Sequence, residues 1–165
     1  MTRVLGAIEH SRTPAQVEHM RNTVGKGICP FCEINSELNK LVWEGTYWNM
    51  WYNPFPYMRR QLHLILATKL HVISLKEADK GTWVELAEAI MWAESKFDIA
   101  GGAFVMRFGD LARNVGTLRH LHAHIDVPDC SGPAFTIFHK MLPGTEDEVR
   151  RQESEVLASF RPPTE

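Results

Sequence analysis

The chain has 165 residues, 44% of them hydrophobic and 23% charged, which suits one compact soluble domain around a single core. Eighteen Lys and Arg against 20 Asp and Glu give a net charge of −2, so no bulk positive field recruits nucleic acid or a membrane, and phosphate binding has to be local. No apolar run reaches the length of a membrane span, and residues 1–10, broken by Arg3, Glu9 and His10, lack the apolar centre of a signal peptide.

Thr13-Pro14 reads as an N-cap followed by proline at the first helical position, opening a helix toward Asn22 that Gly25 and Gly27 end. After Cys29-Pro-Phe-Cys32, the stretch Glu33 to Leu41 is expected to be a short helix. Two alternating aromatic runs, Leu41 to Glu44 and Thr46 to Tyr52, predict a hairpin turning at Gly45. Asn53-Pro-Phe-Pro-Tyr57 stops the second strand, since proline cannot donate to a ladder. Leu62 to Thr68 is apolar enough for a central strand. Ser74 to Glu77 and Thr82 to Glu85 each match a capping box. The second is expected to open the longest helix, with Trp83, Leu86, Ala87, Ile90, Ala93 and Phe97 on its apolar face and Gly101-Gly102 beyond its end. Ala103 to Arg107 and His120 to Val127 read as strands, Ala134 to His139 as a further short one, and the segment from Glu146 as a helix. Strands near both ends of one long helix predict an α+β fold with an antiparallel sheet.

The sharpest chemical signal is His120-Leu-His122-Ala-His124-Ile-Asp126. In a strand, residues two apart share a face, so the three imidazoles point one way and Leu121, Ala123 and Ile125 the other. A row of same-face histidines packs worse than Thr or Val, which argues for chemistry. Two kinds are open. A His-x-His pair on a strand can supply zinc ligands, and neutral imidazole is a good nucleophile toward phosphorus. Successive same-face residues lie roughly 6.6 Å apart along a strand, so three in a row converge poorly on one ion. Cys29 and Cys32 are too few for a disulfide framework and fit a reduced, cytoplasmic protein; they read as buried small residues, a dithiol, or half of a metal site.

The run HLHAHID resembles the signature of the histidine triad (HIT) superfamily. Asn53 to Tyr57, followed by His63-Leu-Ile-Leu-Ala-Thr-Lys-Leu-His71, is similar to that family's ribose loop and following strand, and the likeness extends over residues 29–127. It implies a HIT-like fold, an antiparallel five-stranded sheet packed by one long central helix. The corresponding organisation is an N-terminal helical extension over 1–28, a nucleotide-binding domain over 29–140 and a helical tail over 141–165.

The resemblance also implies roles. His122 would attack the α-phosphate of a nucleotide and form a nucleotidyl-histidine, His124 would serve the leaving group, and His120 would orient the site or bind zinc. Asn53 matches the ribose contact, and Thr117 the small hydroxyl residue at the α-phosphate. Asn114 and Gly116 share that loop, and Arg107 and Arg119 are candidates for outer phosphates. Zinc-bearing members use residues matching Cys29, Cys32, His71 and His120, a structural site. The sequence departs from the family pattern at Gly116, where several branches carry Gln, at Leu62 in place of Gly, and at Thr68 in place of Pro. The expected substrates are dinucleoside polyphosphates or nucleoside phosphoramidates, cleaved by a hydrolase or a phosphorylase variant acting as a homodimer. The alternatives are a zinc-dependent hydrolase using the His row as ligands and a nucleotide-binding module with negligible turnover.

Overall fold

The computed structural model describes residues 5–114 and 116–132; the strand expected at 134–139 and the helical tail lie outside them. Among the described residues, β1 (Leu41–Glu44), β2 (Trp48–Tyr52), β3 (Arg60–Thr68), β4 (Ala103–Arg107) and β5 (His122–Pro128) form one antiparallel sheet in the order β1-β2-β3-β5-β4. Helix α1 (Pro14–Asn22) precedes the sheet, α2 (Lys80–Lys96) connects β3 to β4, and the short α3 (Leu111–Asn114) leads toward β5.

Period-two alternation decides the two faces. Trp48, Met50, Leu64, Leu66, Leu121, Ala123, Ile125 and Val127 form the main core against Leu86, Ala89 and Ala93 of α2. The helix thus buries Thr82, Leu86, Ala89 and Ala93, while Ala87, expected on the apolar face, is exposed. The Trp48 indole satisfies its polar end by donating to the Thr82 carbonyl at 2.8 Å.

The expected start of α2 was displaced by tertiary contacts. Asp79 is the N-cap, accepting from the Thr82 backbone N–H at 2.8 Å, and the helix begins at Lys80. Glu85 therefore has no capping duty. Its carboxylate instead accepts from the backbone N–H groups of Thr46, Tyr47 and Trp48 at 2.8, 2.8 and 2.9 Å. Those amides are turned away from the sheet ladder, which is why β2 starts at Trp48 and not at Thr46. A Cβ at Gly45 would collide with the same carboxylate, so this turn needs glycine.

Two further expectations fail locally. Glu33 to Lys40 forms turns and loop, and Leu41 already opens β1, because the Asn35 side chain takes the N–H groups of Glu37 and Leu38 and competes with a helix. At Ser74 the hydroxyl donates to the Glu77 carboxylate at 2.9 Å instead of accepting from the backbone, and only a single 3-10 turn, Leu75–Glu77, follows. α1 is capped by Thr13 as expected. No helix among the described residues is long and apolar enough to cross a membrane.

Candidate metal centre and histidine site

The second sheet face carries His63, Ile65 and Ala67 of β3 opposite Asp126, His124 and His122 of β5, with Val105 and Arg107 of β4 beside His124 and His122. Phe31 and Ile34 cover Trp51, Ile65 and Ala67. Consequently the histidines do not lie on an open surface: His120, His122 and His124 are all buried.

His120 parts from its neighbours. It precedes β5, and its ring turns toward Cys29, Cys32 and His71, whose donor atoms with its own all lie within 4.8 Å of one another. Cys29 Sγ and Cys32 Sγ stand 3.4 and 3.6 Å from His120 Nδ1, and Cys32 Sγ stands 3.2 Å from His71 Nδ1. Tetrahedral zinc, with bonds of about 2.3 Å to sulfur and 2.0 Å to nitrogen, separates S and N ligands by roughly 3.5 Å. The four residues therefore fit zinc and form a closed, structural Cys2His2 set. Thr68 completes it: the His120 Nε2–H donates to the Thr68 carbonyl at 2.7 Å, which leaves the Nδ1 lone pair for the metal. His120 is the sole member of the histidine row among the converging donors. The three histidines do not share one ion.

His122 is oriented by the same residue. Its Nδ1–H donates to the His120 carbonyl at 2.5 Å, so Nε2 keeps its lone pair. Burial lowers its pKa to about 4, against the favourable His120 hydrogen bond and with help from Arg107, so the ring is neutral near pH 7.

A second network fixes His124. The Tyr57 backbone N–H donates to His63 Nδ1 at 3.2 Å, and His63 Nε2 and His124 Nδ1 share a hydrogen bond at 3.0 Å. Burial, then His122, His63, Arg107 and Arg12, hold the His124 pKa well below its usual value. His63 itself, with Tyr57 stacked on its ring at 4.9 Å, is lowered to about 3 by burial and by Arg12 and Arg60.

This lowering makes stability pH-dependent. An unfolded histidine binds a proton below about pH 6.5, whereas folded His63 resists down to about 3. Between those values the unfolded state holds more protons, so stability falls as pH drops, and this group has no effect above the window. His63 alone should account for a loss on the order of 2 kcal/mol in urea denaturation between pH 7 and 5, added to the losses from His122 and His124, and this share should disappear in His63→Gln. Identical slopes in the two proteins would contradict the assignment.

The remaining predicted residues are placed as follows. Asn53 is buried beside His63, with Nδ2 3.0 Å from His63 Nε2, and its Oδ1 accepts from the Phe55 N–H at 2.9 Å in an Asx turn. Asn114 bridges its own loop, donating to the Phe108 carbonyl and accepting from the Gly116 N–H at 2.7 Å, so that amide is already engaged. Thr117 uses its carbonyl to accept from the Ala7 N–H. Arg107 lies opposite His122 on the histidine face. Sequence reasoning missed Tyr57, Arg60 and Arg12. Arg60 Nε and His63 Nδ1 stand 3.2 and 3.4 Å from Asp126 Oδ1. A carboxylate two residues beyond the last histidine, with an arginine at the start of the facing strand, was the available signal.

No family profile and no curated protein matches the chain. Solved structures do. A HIT family hydrolase from Clostridium thermocellum is 22% identical with a TM-score of 0.51, over 64% of this chain and 95% of its own. A histidine triad nucleotide-binding protein from Candida albicans is 12% identical with a TM-score of 0.54, over 76% and 92%. The chain has the histidine triad fold.

Proposed function

We propose that the chain is a histidine triad nucleotide hydrolase or transferase in which His122 attacks an α-phosphate. The observation that supports this best is the bare Nε2 of the neutral, buried His122 beside the His124 ring, with ring centroids 5.2 Å apart. In the first step the Nε2–P bond forms and the bond from phosphorus to the leaving group breaks. The departing atom keeps the electron pair and accepts a hydrogen bond from His124, and a leaving amine takes its proton from solvent. In the second step water attacks phosphorus, the N–P bond breaks with its electron pair returning to His122 Nε2, and the proton of water is released to solvent. Two inversions give retention at phosphorus. If phosphate replaces water, the same site is a phosphorylase.

Asn53 and Thr117 are proposed at the ribose and the α-phosphate. Oδ1 of Asn53 has a second lone pair beyond its Asx turn, so a ribose hydroxyl can donate to it. Asn114 holds the phosphate loop in shape, and the Gly116 amide becomes available only if that loop opens. The metal would tie down the segment carrying His120, and thereby the carbonyl that orients His122. A homodimer is part of this reading, with β4 the outer strand of the sheet among the described residues.

The test is product analysis after incubation with adenine and guanine dinucleoside polyphosphates and phosphoramidates. The expected product is the nucleoside monophosphate, with solvent oxygen-18 on its phosphate. Label on the leaving group, or no turnover of any member, would refute the reading.

A further inference from the structure

The N-terminal segment is bound to the loop that leads into the histidine strand. Gly6 forms a β-bridge with Leu118, the Ala7 N–H donates to the Thr117 carbonyl at 2.9 Å, and the Arg119 N–H donates to the Leu5 carbonyl at 2.8 Å. A Cβ at Gly6 would collide with the Thr117 carbonyl, so the two segments are in close contact. The His10 ring adds a bond from Nδ1 to the Gly116 carbonyl at 2.9 Å.

Arg12 is held from both sides. Its backbone N–H donates to Gln16 Oε1 at 2.9 Å, at the capped start of α1. Its guanidinium lies 3.8 Å above the Tyr57 ring and donates to the Phe55 carbonyl at 2.9 Å. Tyr57 is the residue stacked on His63, which bonds to His124. A residue from the extension therefore stands at the His124 side of the site.

Its charge is not balanced by a partner of its own among the described residues. Among the described residues no carboxylate pairs with Arg12, and the nearby Asp126 stands against Arg60 and His63. Burial, Arg107 and Arg60 disfavour the charged form, while Tyr57 and Asp126 support it. Guanidinium does not give up its proton in proteins, so the arrangement is costly until an anion arrives. The planar fork of Arg matches phosphate oxygens.

We propose that Arg12 binds the phosphates beyond the α-phosphate and makes the site prefer a polyanionic leaving group over an amine. This rests on the reading of His122 as the attacking group. Arg12 and Arg107 act on His124, while Arg60, which acts on its partner His63, already stands against Asp126; among the described residues this leaves a positive surplus that attracts a departing polyphosphate and repels a departing ammonium.

The experiment compares wild type with Arg12→Gln and Arg12→Lys in the full chain. Calorimetry with inorganic tripolyphosphate gives a readout independent of turnover. Expected is about tenfold or more weaker binding for Arg12→Gln and an intermediate value for Arg12→Lys. Alongside it, kcat/KM is measured for diadenosine tetraphosphate and adenosine 5′-phosphoramidate, which share one adenylyl group. Arg12→Gln should lower the first by about 10- to 100-fold and the second far less. Equal losses on both substrates, or unaltered tripolyphosphate binding, would overturn the role of Arg12. A wild type that cleaves neither substrate refutes the α-phosphate reading, while the tripolyphosphate titration still judges Arg12 as an anion site.

Discussion

His122→Asn should lower nucleotide turnover by about a thousandfold or more while leaving nucleoside monophosphate affinity within a few-fold of wild type. The split follows from what the ring does. His122 presents one lone pair, on Nε2, because Nδ1–H is committed to the His120 carbonyl, and its pKa of about 4 keeps that pair unprotonated at neutral pH. Asparagine preserves volume against the Phe31 edge, 5.1 Å away by ring centroids, but has no nucleophile to form a bond to phosphorus. The substitution also tests placement. His124 and its partner His63 are untouched, so the leaving-group side of the site is kept and only the covalent step is lost. Single-turnover measurements and equilibrium binding of AMP, made on the same preparation, separate the two quantities. Turnover within tenfold of wild type would remove His122 from the nucleophile's place.

Zinc removal should have the second largest effect, and chiefly on stability. Purified protein is expected to hold about one zinc per chain, and Cys29→Ser should release it. The set ties Cys29 and Cys32, ahead of the sheet, to His71 after β3 and to His120 before β5, so its loss frees three chain segments at once. A cost on the order of 4 kcal/mol corresponds to roughly 10 °C in Tm for a chain of this size. Activity should fall afterwards and partially, because the His120 carbonyl that orients His122 loses its anchor. Immediate inactivation by a chelator, before any change in Tm, would instead favour a catalytic metal. Metal-free protein of unaltered Tm, with both thiols titrating openly, would remove the zinc assignment altogether.

Much of the site was written locally. Alternation in HLHAHID assigns His122 and His124 to one face and Leu121, Ala123 and Ile125 to the other, and the sheet obeys it because side-chain direction has a period of two regardless of the neighbours. Strand β4 was legible to the residue, Ala103–Arg107, as was the Thr13-capped helix, since caps and short β-rich runs are signals within a few residues. The metal set was reached through resemblance; spacing alone left Cys29 and Cys32 with other uses.

Tertiary structure decided whatever depends on which distant segments meet. Glu85 looked like the end of a capping box, but the hairpin turn some 40 positions earlier offered three amides, and Asp79 was left to cap the helix. The burial of the histidine row required Phe31 and Tyr57 to fold over it from separate loops. The chain of contacts through His63 to His124 starts at one backbone amide, that of Tyr57. Arg12 lies in a segment that reads as an appendage, and nothing within ten residues of it speaks of phosphate. Its position depends on the bridge between Gly6 and Leu118, a contact between opposite ends of the described chain. Periodicity and capping are properties of neighbours and can be read from them. Charge placement in a site is a property of the folded chain, because Coulomb interactions act through space and not along the sequence.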